Sequence, residues 1–343
     1  MDSGAPPWHV LPVPRVSILL PAYQAEATLP ACLRSLLRQT ESRWECVLVD
    51  DGSTDGTLAV ARAVGDPRVR VVTQPHAGLV GALTAGLAEC RAPIVARMDA
   101  DDVMHRDRLA AQLEALDRTP ALAAVGAWVR VFPRRAMTDG MRAYEGWLNG
   151  IDSPARVRAE AFVESPIVHP TLMIRRDVLA ALGYRDAGWP EDYDLVLRLL
   201  AAGHAIDVVP RRLLGWRDGP SRLTRSHPIY DLERITACKA AFLADGLLAG
   251  RDRYVLWGHG GTGRALRRAL AAHGKRPSHV VELHPGRLGN RIDGAPVVRP
   301  EALVSLPRAP VVASVAGEAA RTEIRAFLDA FGYAETIDYV CAA

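Results

Sequence analysis

Short apolar runs alternate with segments of helical period from the start of this chain. Residues 16–20 form a Val, Ile and Leu run, and residues 29–39 carry apolar side chains at 29, 32, 33, 36 and 37, the spacing of one helix face. Thr28 is placed to cap that helix and Pro30 suits its first turn. Further runs at 46–49, 69–73 and 94–98 predict strands, and 57–64, 79–90 and 106–116 predict helices. Alternation of this kind predicts βαβ units and a mostly parallel sheet flanked by helices.

Beyond residue 120 the pattern loosens. Strands are predicted at 125–131 and 172–174, and helices at 154–162, 176–182, 193–202 and 229–243; residues 215–228 are polar, carry Gly, Pro and Arg, and have no period. Alternation restarts with a strand at 254–257, a Gly-rich turn, a helix at 264–273, strands at 280–282 and 311–314 and a helix at 318–331. The chain therefore divides into an N-terminal extension (1–14), a first α/β domain (15–245) and a smaller one (253–343), with the boundary near 245–252.

Composition adds little to that outline. Among 343 residues, 42 Lys and Arg against 39 Asp and Glu give a net charge of +3, with no basic run that would mark a nucleic-acid partner. The basic residues are almost all Arg; Lys239 and Lys275 are the exceptions. Cys32, Cys46, Cys90, Cys238 and Cys341 are odd in number and have no paired spacing, which suits buried, reduced thiols. No signal peptide or spanning apolar stretch is read, so a cytoplasmic location is expected, with peripheral association at the inner membrane face if the acceptor is lipid-linked.

The acids fall at strand ends. The strand at 16–20 leads into Pro21-Ala22-Tyr23-Gln24, that at 46–49 into Asp50-Asp51-Gly52-Ser53-Thr54-Asp55, and that at 94–98 into Asp99-Ala100-Asp101-Asp102. In open α/β sheets ligands bind beyond the carboxyl ends of the strands. Parallel strands would crowd these carboxylates at one edge, where like charges repel unless a divalent cation sits among them. Taken singly, each segment is an ordinary turn or N-cap; it is their common position that points to a site.

Together with Arg108-Leu109, His169-Pro170-Thr171 and Pro190-Glu191-Asp192-Tyr193-Asp194, these segments resemble the family-two inverting glycosyltransferases of the GT-A fold over roughly residues 15–230. The resemblance implies a nucleotide-sugar donor, a UDP-sugar by preference, a hydroxyl acceptor on a glycan, and Mg²⁺ or Mn²⁺ as cofactor. It implies that Pro21 and Tyr23 line the donor-base pocket and that Asp51 accepts a hydrogen bond from the base. Asp99 and Asp101 would form the Asp-x-Asp metal motif, and Asp192 would be the general base. His169 and Glu191 would lie on the acceptor side, and His227 stands where some relatives supply a third metal ligand. The polar 215–228 loop, with Arg217, Arg222 and Arg225, is itself placed to close over the diphosphate as a lid. Gln24, Thr84 and Arg106 depart from the family pattern.

The second domain opens on Gly258-His259-Gly260-Gly261-Thr262-Gly263 after a predicted strand and before a helix, and Glu282 ends the next strand. Gly258, Gly260 and Gly263 match a dinucleotide-type phosphate turn, with Glu282 placed as the ribose acid. The domain resembles Rossmann-like half-domains, and a nucleotide there is an expectation. Close helix–strand packing around an empty turn would also explain the glycines. Two rival functions remain on sequence alone: a nicotinamide-dependent sugar oxidoreductase, and a nucleotide-sugar sensor or scaffold with a decayed site.

Overall fold

The computed structural model describes residues 13–219, 222 and 227–343. The chain divides into two compact units that interleave along the sequence. Among the described residues, the first comprises 13–150, 168–184 and 207–218; the second comprises 151–167, 185–206, 219, 222 and 227–343.

The first unit is built on a mixed sheet. Its strands are β1 (Val16–Ala22), β2 (Trp44–Asp50), β3 (Val69–Thr73), β4 (Ile94–Arg97), β5 (Val103–Met104), β6 (Leu122–Phe132), β7 (Met173–Arg175) and β8 (Ala205–Arg217), in the order β3-β2-β1-β4-β7-β6-β8-β5. The strands β3, β2, β1 and β4 are parallel. β7 runs antiparallel to β4 and β6, and β5 antiparallel to β8. β1 and β2 are buried along their whole length, the burial expected of strands covered on both faces. Helix Leu29–Leu37 buries Leu29, Cys32, Leu33 and Leu36, four of the five positions its periodicity predicts, while Leu37 is exposed.

Three local expectations are corrected. β1 does not stop at Pro21 but continues to Ala22. Leu19 O accepts from Met98 N, so alternate residues of β1 face β4, and Pro21 falls where β4 has already ended. Its missing N–H therefore breaks no ladder bond. Residues 205–217, with no element predicted, form the longest strand of the sheet. There Ile206 and Val208 alternate inward, but exposed Pro210-Arg211-Arg212 interrupts the period before Leu213 and Leu214. Helix Asp139–Leu148 is not predicted either, although Met141, Tyr144, Trp147 and Leu148 line one face of it; Thr138 Oγ1 caps it by accepting from Met141 N at 3.2 Å.

The second unit carries β9 (Arg253–Trp257), β10 (Arg276–Val281), β11 (Arg291–Ile292), β12 (Ala295–Val298), β13 (Val311–Ala313) and β14 (Tyr339–Cys341). The order is β11-β12-β10-β9-β13-β14, with β12, β10, β9, β13 and β14 all parallel. The first strand of the unit thus lies at the centre and the order reverses between β9 and β13, the doubly wound arrangement of nucleotide-binding sheets. Alternating residues serve two cores. Tyr254, Leu256, Val280 and Val312 pack with Leu266 and Leu270 of helix Gly261–Ala272. Val255, Trp257, Val281 and Val311 pack with Ile324 and Leu328 of helix Glu318–Ala330. Helix Leu232–Asp245 adds Ala240 and Leu243 to the first of these cores, so the division by packing falls elsewhere than the sequence boundary near 245–252.

Candidate functional site

The carboxyl ends of β1, β2 and β4 lie side by side, as the parallel register requires, with Ala22 opposite Asp50 and Leu19 opposite Arg97. The loops after β1 and β2 are stitched together. Gln24 Oε1 accepts from Thr54 N at 2.9 Å, Ala25 N donates to Thr57 Oγ1 at 2.7 Å, and Gly56 N donates to Glu26 Oε2 at 3.0 Å. Gln24 has φ 50°, the left-handed region, and its side-chain bonds to residues 54 and 55 hold it there.

Asp51 is buried and organises the loop after β3. It accepts from Gln74 Nε2 (2.6 Å), Ala77 N and Gly78 N (2.9 Å each), and its carboxylate lies 2.8 Å from His76 Nδ1. A base that bonds to Asp51 must therefore share an acceptor already in use. Gly52 makes the close approach feasible: it has φ 73°, and a Cβ there would stand 2.7 Å from His76 N. Tyr23 is 47% exposed and stacks on His76 with ring centroids 4.1 Å apart. Gln74 and His76 were not singled out from sequence, although the strand-end criterion applies equally to β3.

Asp99, Asp101 and Asp102 can each offer a carboxylate oxygen within 4.8 Å of the others. This cluster is framed by cations. Arg97, buried at the end of β4, pairs with Asp99. Arg108 is wholly buried and donates to Arg97 O at 2.9 Å; burial pushes its guanidinium down to about 9, against the opposing pull of Asp102. Arg217 stands at the end of β8 and not in a loop. Its N–H donates to Asp102 Oδ1 at 2.7 Å, its Nε to Asp101 O at 2.6 Å, and its guanidinium lies over the Phe132 ring. Arg97 was missed, and Arg108 was read only as part of the family pattern, because buried arginines leave no mark in an apolar pattern. Behind the cluster, Cys32 Sγ donates to Asp99 O, and burial raises its thiol well above the ordinary value. All five cysteines are free and buried. His169 is buried too, on the turn His169–Thr171, with Nε2 3.2 Å from Tyr184 Oη.

The second unit holds the remaining candidates. Asp192 is the second residue of helix Glu191–Ala201, half-buried, with Oδ1 accepting from Tyr193 N at 2.7 Å. Glu191 is buried and accepts from Tyr230 Oη at 3.3 Å. Asp194 is engaged differently: it accepts from Arg185, Trp189 Nε1 and Arg198. His227 is exposed and caps the turn Pro228–Tyr230 by accepting from Ile229 N. Arg225 lies outside the described residues. Gly258, Gly260 and Gly263 stand where β9 turns into helix Gly261–Ala272, and Glu282 directly follows β10 with its carboxylate 2.6 Å from Arg287 Nη1.

Known proteins match a large part of this chain. The model of the family described as glycosyl transferase family 2 matches residues 17–183, the stretch that carries β1 to β7 and every acid of the first unit's cluster. The amylovoran biosynthesis glycosyltransferase AmsE of Erwinia amylovora is 32% identical over 215 residues, covering 61% of this chain and 78% of that relative. The chain belongs to glycosyl transferase family 2. Among solved structures, S. aureus TarS (residues 1–349, in complex with UDP-GlcNAc) superposes with a TM-score of 0.55 at 16% identity, over 76% of this chain and 72% of that one. The Pyrobaculum calidifontis mannosyltransferase PcManGT, in complex with GDP-Man and Mn²⁺, gives 0.52 at 19% identity, over 76% and 70%. These likenesses fix the fold as GT-A, and membership of the family makes the protein a glycosyltransferase. Among the described residues no helix is long and apolar enough to cross a membrane.

Proposed function

We propose that this family-two member is an inverting hexosyl- or N-acetylhexosaminyltransferase, moving a sugar from a UDP-sugar to a glycan hydroxyl in surface-polysaccharide assembly. The observation that carries the reading is the carboxylate cluster Asp99, Asp101 and Asp102 at the edge that also presents Tyr23 and Asp51. Clustered carboxylate oxygens suit a hard divalent cation shared with phosphate oxygens. Asp99, which pairs with Arg97, and Asp101 would hold Mg²⁺ or Mn²⁺, with Asp101 the more direct ligand, as the family resemblance implies. Bound there, the cation supplies Lewis-acid neutralisation of the charge that develops on the leaving diphosphate.

The chain's own groups do the rest. Tyr23 offers an exposed aromatic face to the base beside Pro21, and Asp51 an acceptor for its N–H. Asp192 takes the proton from the acceptor hydroxyl as that oxygen attacks, because the hydroxyl's pKa lies far above neutrality. Attack opposite the diphosphate inverts the anomeric carbon in one step. His169 and Glu191 serve the acceptor side, and Arg217 and His227 the diphosphate side. A lipid-linked acceptor would bring the protein to the inner membrane face. The polysaccharide setting rests on the name of the amylovoran relative.

A screen of UDP-, GDP- and dTDP-sugars for nucleotide release, with and without Mn²⁺, tests the donor and the metal. Release from a UDP-sugar that vanishes in EDTA, and a product of inverted configuration by NMR, are expected. Metal-independent release, or a retained configuration, overturns the reading.

A further inference from the structure

We propose that the second unit carries a nucleotide site of its own, which takes a nucleoside diphosphate with an unsubstituted ribose. The diphosphate would sit at the N-terminus of helix Gly261–Ala272 and the ribose diol on Glu282.

The three glycines of the turn perform three distinct jobs. Gly258 has φ 91°, and a Cβ there would stand 2.5 Å from Val315 Cγ2. A Cβ on Gly263 would stand 2.2 Å from Gly258 O, so the helix can lie against the strand end only without one. Gly260 is different: its Cβ would meet nothing within 4 Å. Packing therefore explains the first and third glycines and leaves the second unexplained. A bare backbone facing open space at a helix start lets phosphate oxygens reach the N–H groups.

The helix start is also left uncompensated. No side chain caps it and no acid lies in its first turn, so its N–H groups and positive dipole end are not matched from within. Beside the turn, two polar atoms lack partners among the described residues. Ser314, 2% exposed at the end of β13, has an unpartnered hydroxyl, while its carbonyl accepts from Thr262 Oγ1 at 3.3 Å across the turn. His259 Nε2 is buried without a partner. The point lies between β9 and β13, where the strand order reverses and the crevice of a doubly wound sheet opens. An unsatisfied buried hydroxyl on the residue whose carbonyl meets the turn is a group that a ligand would satisfy.

The neighbouring strand end completes the description. Glu282 follows β10, and Leu283 beside it is 66% exposed, an apolar surface next to a carboxylate, as a ribose and its base require. Arg287 pairs with Glu282 and donates to His259 O at 3.3 Å, joining the acid to the glycine turn. Glu282 would accept from the 2′- and 3′-hydroxyls and repel a 2′-phosphate.

The test is calorimetric titration of the full chain with ADP, UDP and NAD⁺ in excess EDTA, which removes the cation on which donor binding at Asp99 and Asp101 would rest. At least one of the three should bind, and NAD⁺ should bind more tightly than NADP⁺. Gly260→Val, whose side chain enters open space, should leave the melting temperature unchanged and weaken that binding roughly tenfold or more. Glu282→Gln should weaken it too and narrow the preference for NAD⁺ over NADP⁺. No binding by any of the three at about 1 mM, or an affinity that Gly260→Val leaves within about twofold, overturns the proposal. Neither result touches metal-dependent sugar transfer, which has its own assay.

Discussion

Asp194→Asn removes a charge from a carboxylate whose side chain is 0% exposed and which holds the start of helix Glu191–Ala201 in place. It accepts from Arg185 Nε and Nη2 at 2.8 Å each, from Trp189 Nε1 at 2.9 Å and from Arg198 Nε at 2.6 Å. The Arg185 side chain is 49% exposed, so that arm contributes only about 0–1 kcal/mol. Arg198 is 12% exposed, and its charge-assisted bond is worth about 1.5–3 kcal/mol. Trp189 loses a charged acceptor as well. Breaking a buried pair from one side typically costs about 3–5 kcal/mol, and the exposed arm places this case near the lower figure, about 3 kcal/mol. For a unit of this size the melting temperature should fall by roughly 6–12 °C.

Burial pushes the Asp194 carboxyl up, but the bonds from Arg185, Trp189 and Arg198 outweigh it and leave the group below its ordinary value. Its stabilisation is thus fully present above the unfolded pKa of about 3.9 and is lost as pH falls through the lower folded value. The gap between wild type and variant should be constant from about pH 5 to about pH 8 and close only in stronger acid. Asp192→Asn, two residues earlier, should behave in the opposite way, melting within about 2 °C of wild type while turnover drops roughly 10²–10⁴-fold. Thermal melts across pH, beside a nucleotide-release assay, separate the two acids. An Asp194→Asn protein that melts within about 2 °C of wild type refutes the packing argument, and an Asp192→Asn protein with near-normal turnover refutes the assignment of the base.

Excess EDTA should abolish transfer and Mn²⁺ should restore it, whereas Asp101→Ala should stay inactive with added metal; an active Asp101→Ala enzyme would exclude the cluster as the metal site. Gly263→Ala forces a methyl toward a backbone oxygen 2.2 Å away and should cost about 1–3 kcal/mol in a denaturant titration; an unchanged midpoint would mean that the turn relaxes freely. Gly52→Ala meets both a φ of 73° and a Cβ 2.7 Å from His76 N, so it should destabilise by about 1–3 kcal/mol and raise the donor KM by displacing the Asp51 loop. A donor KM equal to wild type would show that Asp51 and His76 do not shape that pocket.

Much of this protein was legible in the chain itself. Strand and helix periods placed β1 to β4 and the helices between them to within a few residues, because buried parallel strands are continuous apolar runs and their helices carry one apolar face. Strand ends are also where ligands bind in such sheets, so marking the strands marked Tyr23, Asp51, Asp99 and Asp101 at the same time. Sequence could not give what depends on a partner far along the chain. β8 exists because the sheet supplies its ladder, and a pattern broken at Pro210-Arg211-Arg212 hides it. Arg217 reaches Asp101 and Asp102 only because that strand pairs with β5, more than a hundred residues earlier. Arg97 and Arg108 lie buried among the acids, where charge is tolerated only beside opposite charge, and periodicity carries no record of such pairing. The role of each second-unit glycine was equally a matter of distance: Gly260 and Gly263 are the same letter, and only the folded chain sets one before open space and the other against a carbonyl.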